Sequence, residues 1–183
     1  MVERALILPP LRRTAADAFH FAAIAHQGQT DKAGRPYVEH LGRVVLRTRN
    51  LARDCPFWSD WERDEAAQVA WLHDTVEDER CQAFDLRDEG FSDPVILAVR
   101  MLTKGFHGLL DPSGKMPYLG WIELITRKAD LPAILVKLAD VEDNSDSERL
   151  ALLPEETRER LLRKYEPARE ILKAAARAKG WQG

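Results

Sequence analysis

The chain is poor in the features that mark secreted, membrane or nucleic-acid-binding proteins. It has only two cysteines, Cys55 and Cys81, which form no CxxC pair and no metal-ligand spacing, so they read as reduced thiols rather than a disulfide framework. No apolar run approaches the ~20 residues of a membrane span, because Arg, Lys, Asp or Glu interrupts each one. The N-terminal MVERALILPPLRR has a short apolar patch, but Pro9 and Pro10 end it and no small-residue cleavage site follows. A cytoplasmic protein is expected. Neither sign of charge dominates: 27 Lys+Arg against 30 Asp+Glu leave a net charge of -3, which gives no whole-protein attraction to nucleic acid or an anionic membrane. Runs of alternating β-branched residues, hairpin signals and internal repeats are also missing.

What is present is an ordinary globular composition, 45% hydrophobic and 31% charged over 183 residues, enough for one domain with a core of its own. The hydrophobic spacing is helical. Thr14 is placed to cap a helix over 14–27, with Asp17 in its first turn; GQTDKAGRPY (28–37) reads as a loop, and a second helix begins near Tyr37. Residues 63–78 predict a strongly apolar helix that contains His73 and Asp74. Ser92 is placed to cap a helix through Leu102, and PYLGWIELITRKAD and PAILVKLADVEDN supply two more, each with Pro near its first turn. The charged C-terminal stretch over 154–180 should stop at Gly180, and Pro167 should divide or bend it. The expectation is an all-α, single-domain helical bundle over 1–183, with a core over 14–150 and C-terminal helices over 154–180.

Chemistry concentrates in two acidic stretches. In HDTVED, His73 and Asp74 can converge on one cation, and Glu77 and Asp78 follow one helical turn later. Three carboxylates beside Leu72 and Val76 would be costly through desolvation and repulsion without a cation or solvent to relieve them, although a solvated helix end is the plain alternative. In KLADVEDNSD, Asp140 ends the apolar run PAILVKLA and needs a partner; Lys137, Asp140 and Asn144 can line one groove, although an Asp140–Lys137 ion pair would also explain them. His40 lies on the apolar side of its helix. His20 and His26 lie on an Ala-rich helix with no carboxylate in register and His107 sits in a Gly-flanked loop, so the three are read as carrying no metal role.

Taken in order, His40, HDTVED and KLAD resemble the hydrolase domain of the RelA/SpoT family and its stand-alone relatives, the small alarmone hydrolases, over roughly residues 14 to 150. The similarity runs through AFHFAAIAHQGQTDKAGRPYVEHLGRVV, AAQVAWLHDTVED, VRMLTK and ILVKLADVEDN. The resemblance implies an HD-type helical fold holding one divalent ion, Mn²⁺, and removal of the 3′-pyrophosphate from guanosine tetra- or pentaphosphate to give GDP or GTP, without synthetase activity. It implies His40, His73, Asp74 and Asp140 as metal ligands, and Glu77 and Asp78 as acids beside the attacking water. Asn144 and Lys32 would contact the nucleotide, and Lys104 and Lys137 are candidates to neutralise its phosphates. The partner expected is therefore a purine nucleotide, with no nucleic acid and no membrane.

One departure bears on the substrate. The family commonly carries Arg-Lys in the nucleotide loop, with the arginine stacked on guanine, and this chain has Asp31-Lys32. An aspartate offers no planar guanidinium. An adenine alarmone, another nucleotide substrate of an HD hydrolase, and a non-catalytic alarmone sensor all stay open. The segment Ser145 to Ser147 also departs from the family's usual run, so no contacts are carried over there.

Overall fold

The computed structural model describes residues 12–31, 33–104 and 116–183. Among these there are nine α-helices, one 3₁₀ turn and no strand; the lone β-bridge, Thr30 with Pro36, pinches the loop after the first helix. The all-α expectation holds. No helix among the described residues is long and apolar enough to cross a membrane.

Helix α1 (Ala15–Ala25) begins as anticipated: the Thr14 hydroxyl accepts from the Asp17 amide and the Asp17 carboxylate accepts from the Thr14 amide, which satisfies donors that a helix start otherwise leaves bare. α2 (Tyr37–Leu51) presents His40, Leu41, Val44, Val45 and Thr48 to the interior. α3 (Asp60–Leu72) starts at a second capping box, Ser59 with Glu62, and its Ala66, Ala67 and Ala70 allow close approach to Ala15, Ala18 and Ala22 of α1. α4 (Ala83–Asp88) is short. α5 (Asp93–Leu102) has Ser92 at its N-cap position, but the Ser92 hydroxyl donates to Glu65 of α3 instead of accepting from its own helix.

α6 (Tyr118–Lys128) leads into α7 (Leu131–Asn144), the centre of the bundle. α7 is buried without interruption from Ala133 to Val141, as expected of a helix with apolar residues on every side, and it packs against α2, α3, α5 and α9. Fully burying each of Ile134, Leu135 and Leu138 contributes about 1.5–3 kcal/mol. After the short α8 (Ser147–Ala151), α9 (Glu155–Ala178) lies against α6 and α7.

Two expectations need correction. Pro167 does not divide the last segment, because α9 runs through it as one helix. Its buried stripe, Leu161, Tyr165, Ala168, Leu172 and Ala176, continues in register on both sides of the proline, so contact with the bundle outweighs one missing backbone hydrogen bond. The helix expected over 63–78 ends at Leu72, and residues 73–80 form a chain of turns. There the Thr75 hydroxyl and amide both bond the Leu72 carbonyl, the Arg80 and Cys81 amides return to the Thr75 carbonyl, and Glu79 adopts φ 56°.

Candidate metal centre

His73 and Asp74 leave the end of α3 where the turn begins, His40 comes from the first turns of α2, and Asp140 comes from the buried stretch of α7. His73 Nε2 lies 3.0 Å from Asp74 Oδ2 and 3.8 Å from Asp140 Oδ1. His40 Nε2 lies 3.7 Å from Asp74 Oδ2 and 3.5 Å from Asp140 Oδ1. Neighbouring donor atoms bound to a single ion at about 2.1–2.2 Å are about 3.0–3.6 Å apart, so these separations suit one cation. His40, His73 and Asp74 form a group able to hold a metal ion, with their ligand atoms within 4.8 Å of one another.

The hydrogen bonds around the two imidazoles decide which nitrogen faces inward. His73 Nδ1 is 2.9 Å from the Ala70 carbonyl, which can only accept, so Nδ1 carries the proton. His40 Nδ1 is likewise 2.8 Å from Asp143 Oδ2. Both Nε2 atoms therefore point at carboxylate oxygens, an arrangement that repels unless positive charge lies between them. The buried His73 Nε2 has no hydrogen-bond partner despite its closeness to Asp74. A divalent cation would satisfy it, and the donor set of two imidazoles and two carboxylates suits one.

Without such a cation the site retains protons. Burial opposes a charged His73, but the negative charges of Asp74 and Asp140 beside it outweigh that and raise the imidazole to about 10. His40 is also raised, against burial, by Asp140, Asp143 and Asp74. Asp74 and Asp140 are correspondingly held below the usual carboxylate range, against burial, by His73 for the former and chiefly by Lys137 for the latter.

Residues that composition alone did not single out support the centre. Tyr37 donates to Asp74 Oδ2 at 2.6 Å. Asp143, fully buried, accepts from His40, from Arg43 at 2.8 Å and from Arg149 at 2.5 Å. Its carboxyl is lowered, against burial, by His40 and Arg43. Such a carboxylate fixes the tautomer and orientation of a ligating histidine.

The remaining expected residues divide by position. Lys137 Nζ donates to Asp140 Oδ2 at 2.7 Å, so the ion pair considered from the sequence is real, yet Asp140 Oδ1 still faces the imidazoles. Asn144 donates to the Asp140 carbonyl and to Oδ1. Glu77 sits at the cavity wall, accepts weakly from the Lys104 amide at 3.4 Å, and has its carboxyl raised by desolvation. Asp78 Oδ2 accepts from Gln29 at 2.6 Å. Lys32 and His107 fall outside the described residues, and the exposed His20 packs on Phe19 away from the site.

A cavity of about 490 Å³ opens over the centre, and the acids and His40 line it together with Lys104, Tyr118, Lys137, Arg149, Lys164 and Tyr165. It is large enough for a nucleotide, and its cations offset the acids within an overall acidic protein. Asp31 also lines it, but its carboxylate is committed elsewhere: it accepts from the Ala33 and Arg35 amides and pairs with Arg43 at 3.5 Å and Arg149 at 3.2 Å. The residue that breaks the family pattern thus closes its own loop and holds Arg149 in the cavity wall. No protein-family model matches this chain, and no curated protein matches it.

Proposed function

We propose that the chain is a metal-dependent phosphohydrolase of the HD type that removes the 3′-pyrophosphate from a purine nucleotide. The observation that carries this reading is the convergence of His40 Nε2, His73 Nε2, Asp74 Oδ2 and Asp140 Oδ1 beneath a nucleotide-sized cavity. In this reading the four side chains hold one divalent cation, Mn²⁺ by the family resemblance. When bound, such an ion supplies Lewis acidity toward a phosphoryl oxygen and makes water easier to deprotonate.

The chain's own residues do the rest. Glu77, with its raised carboxyl, and Asp78, anchored by Gln29, flank the cavity beside the metal ligands and are the groups to orient water and accept its proton. The water oxygen forms a bond to the phosphorus attached at O3′ as the acid takes its proton, the P–O3′ bond breaks, and the acid returns that proton to the 3′ oxygen, which leaves as the hydroxyl while pyrophosphate departs. Lys104, Arg149 and Lys164 also line the cavity and would neutralise the polyphosphate, Arg149 while held by Asp31 and Asp143. Lys137 contributes less to substrate than expected, since its ammonium is bonded to Asp140 and lies 4.5 Å from the Trp121 ring centre.

A second reading, hydrolysis of a different phosphate ester at the same centre, draws support from Asp31, whose carboxylate gives no stacking surface for guanine and is occupied by two arginines. One assay separates them: Mn²⁺-loaded protein is offered the 3′,5′-bisdiphosphates of guanosine and adenosine beside nucleoside monophosphates, and the released product is identified. Pyrophosphate from a bisdiphosphate, lost in Asp140→Ala, is the expected result. Orthophosphate from monophosphates alone would replace the first reading by the second, and activity unchanged in Asp140→Ala would remove the metal centre from both.

A further inference from the structure

The sequence assigns His26 no metal role, yet its ring is buried just after α1 and reaches toward the site through a single residue. Its Nδ1 is 2.7 Å from Gln29 Oε1, and Gln29 Nε2 is 2.6 Å from Asp78 Oδ2. The direction of this chain follows from its far end. The Gln29 NH₂ group donates to Asp78, so the Gln29 carbonyl faces His26, and His26 must present Nδ1–H. Its other nitrogen, Nε2, is buried without a partner, so a proton there would be an unsatisfied donor. Burial lowers the imidazole below its ordinary value, with only partial opposition from Gln29, in keeping with a neutral ring of one tautomer.

The backbone holds the same geometry. The Gln29 amide donates to the His26 carbonyl at 3.0 Å and the Tyr37 amide donates to the Gln29 carbonyl at 2.9 Å, so Gln29 is fixed on both sides. The His26 ring stacks on Tyr37, with centres 4.9 Å apart and planes 25° from parallel, which sets the direction of Nδ1.

We infer that His26 is a positioning residue, which through Gln29 fixes the Asp78 carboxylate in the orientation needed beside the attacked phosphorus. The inference rests on the role given to Asp78 above. Losing the Nδ1–H donor frees the Gln29 amide to turn over, which would set its carbonyl oxygen against Asp78 and push the carboxylate aside. Asparagine at position 26 can offer an N–H at a similar point in space, and leucine cannot.

The test compares full-length wild type, His26→Leu, His26→Asn and Gln29→Leu, all loaded with Mn²⁺, by steady-state kinetics and by crystal structure. Expected are a 10- to 100-fold loss of kcat in His26→Leu and Gln29→Leu, KM within about twofold of wild type, and recovery of most of kcat in His26→Asn. The His26→Leu/Gln29→Leu double variant should be no worse than Gln29→Leu alone, because both act through one chain. Equal loss in His26→Asn and His26→Leu, or unchanged kcat in His26→Leu, overturns the inference. If wild type binds Mn²⁺ but hydrolyses no nucleotide, the functional reading has failed instead, and the crystal structures decide the positioning role: Asp78 displaced in His26→Leu and restored in His26→Asn supports it, and Asp78 unmoved in His26→Leu refutes it. Should His26→Leu not fold, the contrast between Gln29→Leu and His26→Asn carries the same decision.

Discussion

Asp143→Asn should weaken metal binding without removing a metal ligand. The carboxylate is completely buried and accepts from His40 Nδ1, Arg43 and Arg149, and Arg47 Nε lies 3.7 Å away. An asparagine keeps the shape but has one acceptor oxygen and one donor NH₂. Either the NH₂ meets the His40 Nδ1–H or it meets a guanidinium, and in both cases donor faces donor. Loss of a partner that orients a ligating histidine typically lowers metal affinity about 10- to 100-fold, equivalent to about 1.4–2.7 kcal/mol. Breaking a buried charged cluster adds a stability cost of about 3–5 kcal/mol, scaled down here because Arg43 and Arg47 are about one-third exposed. Isothermal titration of Mn²⁺ into the metal-free protein at fixed pH, beside thermal unfolding, separates the two effects. Affinity within twofold of wild type in a folded Asp143→Asn protein would refute the idea that Asp143 sets the His40 imidazole.

Three further outcomes follow from separate parts of the fold. Asp31→Ala, which leaves Arg43 and Arg149 without that partner, should cost about 2–3 kcal/mol and lower Tm by about 4–12 °C. The Asp31 carboxyl is lowered in the folded protein: burial opposes this, and the Arg35 and Ala33 amides with Arg149 and Arg43 prevail. Its stabilisation is therefore complete above the unfolded value of 3.8 and is lost as pH falls below it, so the wild-type advantage over Asp31→Ala should shrink in acid unfolding titrations below about pH 4. Pro167→Ala should raise stability by about 1–3 kcal/mol in denaturant unfolding, since it restores a donor inside α9. Lys137→Met should destabilise the cation-free protein by less than the about 3–5 kcal/mol of a fully unpaired buried charge, because Asp140 loses its ammonium partner but keeps Asn144 and the two imidazoles, and calorimetry with and without Mn²⁺ should show the ion recovering part of that loss.

How much of this was legible in the sequence depends on how far each signal reaches along the chain. The start of α1 could be read from Thr14 and Asp17 because a cap is a contact three residues long. The burial of α7 could be read from an apolar run that no charge breaks before Lys137. The end of α3 could not: Val76, Glu77 and Asp78 are all compatible with helix, and the stop comes from Thr75 turning back on Leu72 and from the left-handed Glu79. His73 keeps helical dihedrals at the end of α3, so a wrong boundary still led to the right pair. Asp143 was not singled out, because its tie to His40 spans 103 positions. His26 was read only as carrying no metal role for the same reason: the Gln29–Asp78 bond that gives it meaning spans 49. Asp31 was visible as a departure, but its partners Arg43 and Arg149 became apparent only when α2 and α8 were seen to meet at the loop.

The most direct test of a shared cation is anomalous diffraction from crystals of the wild-type protein soaked in Mn²⁺. A single strong peak about 2.1–2.3 Å from His40 Nε2, His73 Nε2, Asp74 Oδ2 and Asp140 Oδ1 is the result this account predicts. No peak between these atoms at saturating Mn²⁺, or an ion bound elsewhere while Asp140 stays paired only with Lys137 and Asn144, would contradict it.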